Sequence, residues 1–250
     1  MTLKQRSPTE GYTEDLAYIH DSGFGGFAES AAPGLLAMLE NCGIRSGLVI
    51  DIGCGGGHWA HRLIERGYDV LGVDISAPMV SLARKREPRA RFITGSFLST
   101  KLPQCAAITA ISECIGYLFD DRNGHKALER FFANAHNALK PGGIMIFDLL
   151  ESRRGVPLRN ARRWTKGNDW VVLVNVIEDT RTKKLTREIT SFRQRGNSYR
   201  RTDEVHHVKL IDREAVLGSL RRQGFTARAL RGYGELRFAK GHVGFLARKS

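Results

Sequence analysis

The chain has 250 residues and a formal net charge of +13 at pH 7, a length that suits one α/β domain with an elaboration rather than two full domains. No uncharged apolar run approaches the length of a membrane span, and the N-terminal residues lead into no apolar core, which argues against a membrane protein and a signal peptide. The four cysteines show no C-x-x-C spacing. Composition therefore predicts a cytoplasmic protein with buried thiols and no metal site.

The positive charge is concentrated in one segment. Between Arg153 and Arg201 the chain carries 14 Lys and Arg residues against four Asp and Glu residues. Such an excess invites an acidic partner, and it is equally consistent with a solvated basic face on an exposed sheet. Both interpretations remain open from the sequence.

The N-terminal part divides into an arm and a helix. Residues 1–27 begin with a polar stretch and continue into a segment that mixes aromatics, glycines and a His20-Asp21 pair. The spacing of Leu35, Leu36 and Leu39 predicts a helix over residues 28–42.

A strand, a glycine turn and a helix follow. Leu48 to Ile52 is a short apolar run typical of a buried strand, and four of the next five residues are glycine. A dinucleotide fingerprint starting at Gly53 would need a third glycine at position 58, which is His58. The pattern present is D-x-G-x-G-x-G, from Asp51 to Gly57. A carboxylate at the end of this strand suits a cationic amino-acid group better than a pyrophosphate.

The next two strands end in polar residues. Asp74 closes a predicted strand over residues 68–74, a position where acids accept hydrogen bonds from ribose hydroxyls. Ser76 is predicted to cap the helix that follows. A third strand over residues 90–95 leads into Ser96-Phe97.

Two further strands bring the number of predicted strands to five. Residues 106–112 form the fourth strand, and Glu113 follows it directly. An amphipathic helix is predicted over residues 121–139. A Leu-Lys-Pro-Gly-Gly turn then leads into the fifth strand, residues 144–148.

Taken in this order and spacing, the motifs over residues 28–150 resemble those of the class I S-adenosylmethionine-dependent methyltransferases of the bacterial small-molecule type. The resemblance implies a doubly wound, mostly parallel seven-stranded sheet with strand order 3-2-1-4-5-7-6. It implies S-adenosylmethionine as cofactor, with S-adenosylhomocysteine as product. It assigns the cofactor-binding role to Asp51, Gly53, Cys54, Gly55, Gly57, Asp74, Ile75, Met79, Ser96, Phe97 and Glu113.

Two of these assignments carry a specific role. Asp51 would help to hold the ammonium group of the cofactor. Ser96 stands where many relatives have an Asp that accepts from the adenine amino group, and a serine would accept there without a charge.

The rest of the chain is expected to form an insertion and the end of the core. Residues 151–210 are predicted to be an antiparallel β-meander, with an irregular basic link over residues 153–166 and three strands over residues 169–177, 185–195 and 199–210. Trp170 and Tyr199 are expected to roof the substrate pocket. Residues 211–250 supply a helix capped by Asp212 and two closing strands. The resemblance implies a lid role for residues 1–27, the alternative being an arm whose aromatics only pack on the core, and it places the meander on the substrate side.

The implied reaction is methyl transfer to the nitrogen or oxygen of a small-molecule acceptor that can be anionic. Alignment of the acceptor can supply much of the rate, and a general base is useful for a hydroxyl acceptor. The candidates for that base are Glu113, His20 and one of His206 and His207, because neighbouring strand residues face opposite ways, and His207 is taken from that pair. Glu113 could instead bind an ammonium group.

Two other functions remain open. A nucleic-acid methyltransferase could use the basic segment, although the fourth strand lacks the Asn/Asp-Pro-Pro-aromatic tetrad of base-amino methyltransferases. A non-catalytic cofactor-binding subunit is the other, and the intact cofactor motifs argue against it. The sequence assigns neither the acceptor nor the oligomeric state.

Overall fold

The computed structural model describes residues 11–152 and 161–250. The N-terminal half contains, in chain order, α1 (Glu14–Phe24), α2 (Gly26–Asn41), β1 (Leu48–Ile52), α3 (His58–Glu65), β2 (Asp69–Asp74), α4 (Ala77–Arg86), β3 (Arg91–Thr94), β4 (Cys105–Ala110), a 3₁₀ turn (Cys114–Gly116) and α5 (His125–Ala138). After it come β5 (Leu139–Leu150), β6 (Ala161–Lys166), β7 (Trp170–Asp179), β8 (Lys184–Arg195), β9 (Ser198–Lys209), α6 (Arg213–Arg222), β10 (Phe225–Leu230), β11 (Gly232–Tyr233), β12 (Leu236–Arg237) and β13 (His242–Lys249).

The central sheet has seven strands in the order β3-β2-β1-β4-β5-β13-β10. The first five are parallel, and β13 runs antiparallel to both of its neighbours. This arrangement confirms the predicted order 3-2-1-4-5-7-6, with β13 and β10 as the seventh and sixth core strands. Helices cover both faces, which explains why the central strands are apolar along their whole length.

Each face of the sheet has its own apolar layer. On one face α5 and α6 pack through residues such as Phe131, Phe132 and Leu220. On the other, α2, α3 and α4 pack through residues such as Leu39 and Trp59. The predicted helix caps are confirmed, since the Ser76 side chain accepts from the Met79 amide and Asp212 accepts from the Glu214 and Ala215 amides.

The insertion forms a separate four-stranded antiparallel sheet in the order β6-β7-β8-β9. The prediction of an irregular link was wrong over residues 161–166, because these residues form β6 and pair with β7 from Ala161↔Val176 to Lys166↔Val171. The link's first residues, 153–160, lie outside the described residues. The side chains of β6 are mostly exposed and several are charged, so the segment lacks the apolar residues that would have predicted a strand. Such charges are common on edge strands.

The N-terminal helices connect the core and the insertion. Helix α1 packs against α4 and β8, and its Leu16 and Ile19 form an apolar cluster with Trp170, Val172 and Ile189. Helix α2 begins at Gly26, two residues before the predicted start. No helix of the described ranges is both long and apolar enough to cross a membrane.

Candidate functional site

A cavity of about 320 Å³ lies at the carboxyl ends of β1 and β2, where the central sheet meets α1 and the insertion. Its position matches the general rule for open α/β sheets, since β1 has β2 on one side and β4 on the other and the chain direction reverses there. The core contributes the floor, and α1, β7 and β8 contribute the roof.

The glycine loop after β1 exposes its backbone to the cavity. Gly53 and Gly55 line the cavity and have left-handed φ values of +65° and +52°. A Cβ atom on Gly53 would lie 2.4 Å from the Cβ of Cys114, so only glycine lets the two segments pack this closely. A Cβ atom on Gly55 would meet no neighbour within 4 Å. The loop therefore leaves open space directly above its backbone.

Asp74 ends β2 on the cavity wall and organises two backbone segments. Its Oδ2 accepts from the Gly55 amide at 2.9 Å, and its Oδ1 accepts from the Ser76 amide at 2.8 Å. Burial raises the pKa of this carboxyl. Two of the four lone-pair directions of the carboxylate are occupied by these bonds, so it can accept further hydrogen bonds from a ligand in the cavity.

The same end of the cavity is lined by Ile75, Met79, Ser96 and Phe97, four of the residues to which the resemblance assigns cofactor binding. Sequence reasoning missed Asp120, which also lines this end and lies near enough to the Ser96 hydroxyl for that group to help Arg122 lower the pKa of its carboxyl. Arg122 donates to both Asp120 oxygens, at 2.9 and 2.7 Å, and lowers the pKa of the carboxyl. A carboxylate is therefore present beside Ser96, although residue 96 itself has none.

Three predicted cofactor residues do not line the cavity. Asp51 is 1 % exposed and accepts from the Thr109 hydroxyl at 2.9 Å, and burial raises its pKa to about 7. The Cys54 side chain is buried, and Gly57 begins α3 and packs against Ala83. These residues support the glycine loop from below. A direct contact of Asp51 with an ammonium group has no support in this position.

Glu113 lies on the cavity wall because the backbone after β4 is held in an unusual conformation. Ser112 and Glu113 have φ values of 61° and 56°, a left-handed region that costs free energy for residues other than glycine. The buried carboxylate of Asp148 accepts from both of their amides, at 2.9 and 2.6 Å. It also accepts from the Tyr233 hydroxyl at 2.8 Å and lies 2.6 Å from His242 Nε2. Asp148 was not predicted as a site residue, and it fixes where Glu113 points.

The Glu113 carboxylate pairs with Arg187 of β8. Their side chains are only 13 % and 21 % exposed, and both line the cavity. Arg187 also donates to the Tyr117 hydroxyl at 2.5 Å, and that hydroxyl lies 3.3 Å from the hydroxyl of Tyr12. Burial raises the pKa of Glu113 against the opposing effect of Arg187. Burial also opposes the charge of Arg187, but Tyr117 and Glu113 outweigh it and the pKa is raised.

The candidate histidines occupy different places. His20 lines the cavity roof, and burial lowers its pKa to about 4, so it is neutral at pH 7. His207 does not line the cavity and lies 3.0 Å from the Thr186 hydroxyl through Nδ1, on the opposite face of β9. The inward residue of the pair is His206, which is 2 % exposed and lies 2.9 Å from Glu204 through Nε2. Neither histidine of this pair lines the cavity, and the register of β9 buries His206 and turns His207 to the opposite face.

The expected aromatic roof also differs in detail. Trp170 is buried in the apolar cluster with α1 but does not line the cavity, and Tyr199 is 57 % exposed. The roof consists instead of Leu16 and Phe24 from α1 and of Val172, Val174 and Ile189 from the insertion.

Helix α1 is held over the cavity by ion pairs at both of its ends. Near its start, Asp15 accepts from Arg193, Arg195 and Arg200 of the insertion, and these hydrogen bonds lower its pKa despite burial.

Near its other end, Asp21 accepts from Arg86 of α4 and lies 3.2 Å from His58 of α3. Despite burial, these two partners lower the pKa of Asp21 to about 2. Arg86 also donates to the Gly56 carbonyl of the glycine loop. The helix therefore bridges the glycine loop and the insertion.

These features fit a nucleoside ligand that carries an amino-acid group. The open space above Gly55 allows close approach to the loop, Asp74 can accept from hydroxyls, and the apolar side chains at Ile75, Met79 and Phe97 suit a flat ring. The other part of the cavity joins an apolar roof to a buried carboxylate, a guanidinium and two phenols. It can hold a second, small molecule beside the first.

Comparison with known proteins agrees with this geometry. Residues 49–143 match the family model described as a methyltransferase domain. YqeM of Bacillus subtilis, named as a methyltransferase, is 23% identical over 183 residues, which cover 72% of this chain and 73% of that protein. The glycine/sarcosine N-methyltransferase of Parasynechococcus marenigrum is 30% identical over 148 residues, covering 56% of this chain and 50% of that protein.

Among solved structures, the fold is similar to that of CalS10 from Micromonospora echinaspora. That protein is described as an amino pentose methyltransferase and was determined with S-adenosylmethionine bound. The TM-score is 0.75 at 16% identity, covering 93% of this chain and 97% of that one.

Proposed function

We propose that this chain, which belongs to the class I S-adenosylmethionine-dependent methyltransferases, methylates the nitrogen of a small-molecule amine. Methyl transfer from S-adenosylmethionine follows from the family, and the acceptor is the proposal. The observation that carries it is the buried Glu113–Arg187 pair in a cavity that the glycine loop, the insertion and α1 enclose together.

The cofactor-binding part of the proposal rests on the floor of the cavity. Asp74 would accept from the ribose hydroxyls, and Ile75, Met79 and Phe97 would contact the adenine, with Ser96 and Asp120 beside its amino group. Gly53 and Gly55 would leave room for the methionine part. The bound cofactor supplies a methyl group that its sulfonium makes electrophilic, so the protein has to align the acceptor and exclude water.

The residues around Glu113 can hold and deprotonate an amine. An ammonium group cannot attack the methyl carbon, because its nitrogen has no free lone pair. The Glu113 carboxylate can bind the ammonium and take one proton from it, and burial, which raises the pKa of this group, favours proton acceptance. The apolar roof of Leu16, Val172 and Ile189 excludes water around the reacting nitrogen.

The names of the relatives include both nitrogen and oxygen as acceptor atoms, since a ubiquinone biosynthesis O-methyltransferase is among them, so the choice of nitrogen depends on the Glu113 carboxylate. One relative is a glycine/sarcosine N-methyltransferase, and one structural neighbour is an amino pentose methyltransferase. Both names point to small amines. The four cysteines carry free thiols, which is consistent with the predicted cytoplasmic location.

Methylation of nucleic acid has less support. Arg193, Arg195 and Arg200 of the insertion are paired with Asp15 of α1. Among the described residues that line the cavity, Arg187 is the only Lys or Arg. A nucleic-acid site needs many basic side chains on one continuous surface beside the reacting atom, and these three arginines instead form ion pairs with α1.

The test uses a panel of small primary amines and matched alcohols with the wild-type enzyme and Glu113→Gln. We expect methylation of an amine by the wild type. In the variant, turnover should fall by a factor of about 10² or more while S-adenosylhomocysteine affinity is kept, and the acidic limb of the pH–rate profile should be lost. Methylation of alcohols but no amine would refute nitrogen as the acceptor. An unchanged rate and Michaelis constant in Glu113→Gln would remove this residue from the site.

A further inference from the structure

Among the described residues that line the cavity, Arg187 is the single Lys or Arg, and its charge lies in the part that would hold the acceptor. The roof around it is apolar, with Val172, Val174 and Ile189 on the same sheet. Without a ligand its charge is balanced by Glu113, and removing both ions from water has a free-energy cost. Buried ion pairs often stabilise a fold no better than apolar residues of similar size. Both charges face the cavity, so a ligand can take the place of either partner.

Building on the proposed function, we propose that the acceptor is a small amino acid, bound through two charges at once. Its ammonium group would lie against the Glu113 carboxylate, and its carboxylate would lie against the Arg187 guanidinium. The zwitterion would thus replace the internal ion pair with two ion pairs of the same kind. A planar guanidinium suits this role because it can donate two parallel hydrogen bonds to a carboxylate.

The contact between Glu113 and Arg187 sets the spacing of the two charges on the acceptor. These side chains touch when no ligand is bound, so a ligand that comes between them with little movement of either side chain must carry its ammonium and carboxylate only one or two carbon atoms apart. An α- or β-amino acid meets this condition. An amino sugar linked to a nucleoside diphosphate does not, since its ring separates the amine from the phosphates.

Neighbouring groups hold Arg187 in place for this task. Its Nη1 donates to the Tyr117 hydroxyl at 2.5 Å, and its guanidinium carbon lies 5.5 Å from the centre of the Tyr117 ring. This leaves Nε–H and one N–H on each terminal nitrogen free of the Glu113 and Tyr117 contacts, and those donors can bind a carboxylate.

Proton transfer in this complex is balanced within the site. The ammonium of the acceptor gives one proton to Glu113 and becomes a neutral amine with a free lone pair. As the nitrogen–carbon bond forms, the methyl–sulfur bond would break with its electron pair left on sulfur, so that S-adenosylhomocysteine is the leaving group and the product nitrogen is again positively charged. Glu113 then returns its proton to water as the site opens.

The first test needs no mutation. The wild-type enzyme is assayed with amino acids, their methyl esters and the corresponding amines without a carboxyl group. We expect kcat/KM to be about 10- to 150-fold higher for the best amino acid than for its ester and amine, as for the loss of a hydrogen bond between charged groups. Equal turnover of the three would overturn the inference and leave the proposed function intact. Absence of methylation of every amine would instead refute the proposed function, and the inference with it.

The second test compares Arg187→Met with Arg201→Met, a matched change on the outer face of the neighbouring strand, where Arg201 is exposed and paired with Asp203. Arg187→Met should remove the preference for the free carboxylate, and Arg201→Met should keep it. Because Arg187→Met leaves Glu113 buried without its partner, the double variant Glu113→Gln/Arg187→Met provides a neutral pair for binding measurements.

In both Arg187 variants S-adenosylhomocysteine should bind within about twofold of the wild-type affinity. A tenfold loss of this affinity in the double variant would show that Arg187 anchors the carboxylate of the cofactor, and would overturn the inference. Retention of the carboxylate preference in Arg187→Met would also overturn it.

Discussion

Replacement of Asp74 by Ala tests the assignment of the cofactor end of the cavity. The carboxylate makes two hydrogen bonds to backbone amides and is predicted to accept from the ribose. Loss of one hydrogen bond to a charged acceptor costs about 1.5–3 kcal/mol. We therefore expect the Kd of S-adenosylhomocysteine to rise by about 10- to 150-fold, since each 1.4 kcal/mol corresponds to a factor of about ten.

The same change also affects the free protein. The amides of Gly55 and Ser76 lose their acceptor, so the free energy of unfolding should fall by about 1–3 kcal/mol for each amide left unpaired. Titration calorimetry gives the affinity, and urea unfolding gives the stability. Asp74→Asn should lie between the wild type and Asp74→Ala, because an amide oxygen can still accept one bond.

Asp69 provides a matched control at the opposite, exposed end of the same strand. Asp69→Ala should leave both quantities unchanged. A folded Asp74→Ala protein that binds S-adenosylhomocysteine as tightly as the wild type would refute the ribose assignment. A loss of stability alone would limit Asp74 to holding the glycine loop.

Three further predictions follow from other contacts. Thr109→Val should lower the free energy of unfolding by about 1–3 kcal/mol in urea titrations, because it removes the buried hydroxyl that accepts from Trp59 and donates to Asp51. Thr109→Ser keeps the hydroxyl and should cost only the buried methyl group, about 1 kcal/mol, and equal stability of all three proteins would contradict this. Asp21 raises the pKa of His58 above its usual 6.5. The ion pair between them therefore stabilises the folded protein fully below that pH, and this contribution is lost as pH rises through the raised pKa. As the pH rises above about 6.5, the Tm should therefore fall more in the wild type than in His58→Gln, and coinciding pH profiles would argue against the ion pair. Changing Arg181, Lys183 and Lys184 together to Gln should leave methylation of the small acceptor unchanged. The small-molecule assignment would be contradicted if the wild type bound RNA at physiological salt and methylated it, and if the variant lost both the binding and the methylation.

The sequence predicted most of the residues that line the glycine-loop end of the cavity, because local motifs position them. A strand, a glycine turn and an acid at the end of the next strand place Gly53, Gly55 and Asp74 on one edge whatever the rest of the chain does. Asp51 shows the limit of this reasoning. It is the last residue but one of β1, just before the glycine turn. Whether its side chain faces the cavity or the layer beneath depends on packing against Thr109 of β4.

The acceptor half depends on contacts between distant parts of the chain. Glu113 was predicted because it follows β4 directly, but its partner Arg187 lies in the insertion and reaches it only through the register of β8. The alternation of strand residues predicts that one of His206 and His207 faces inward, yet only the paired register decides which one. Asp148 lies two residues before the end of β5 and gave no motif signal, since its role is to accept from the amides of a neighbouring loop.

The central claim is methyl transfer from S-adenosylmethionine to a small amine, and a labelled-methyl screen of cell extract tests it most directly. The purified enzyme is incubated with extract and cofactor carrying a labelled methyl group, and the products are separated into small molecules, protein and nucleic acid. Glu113→Gln serves as the control for enzyme-dependent labelling. We predict that the label appears on a small amine, in amounts equal to the S-adenosylhomocysteine formed. Label confined to RNA, DNA or protein, or no labelled product beyond that of the control, would contradict the account.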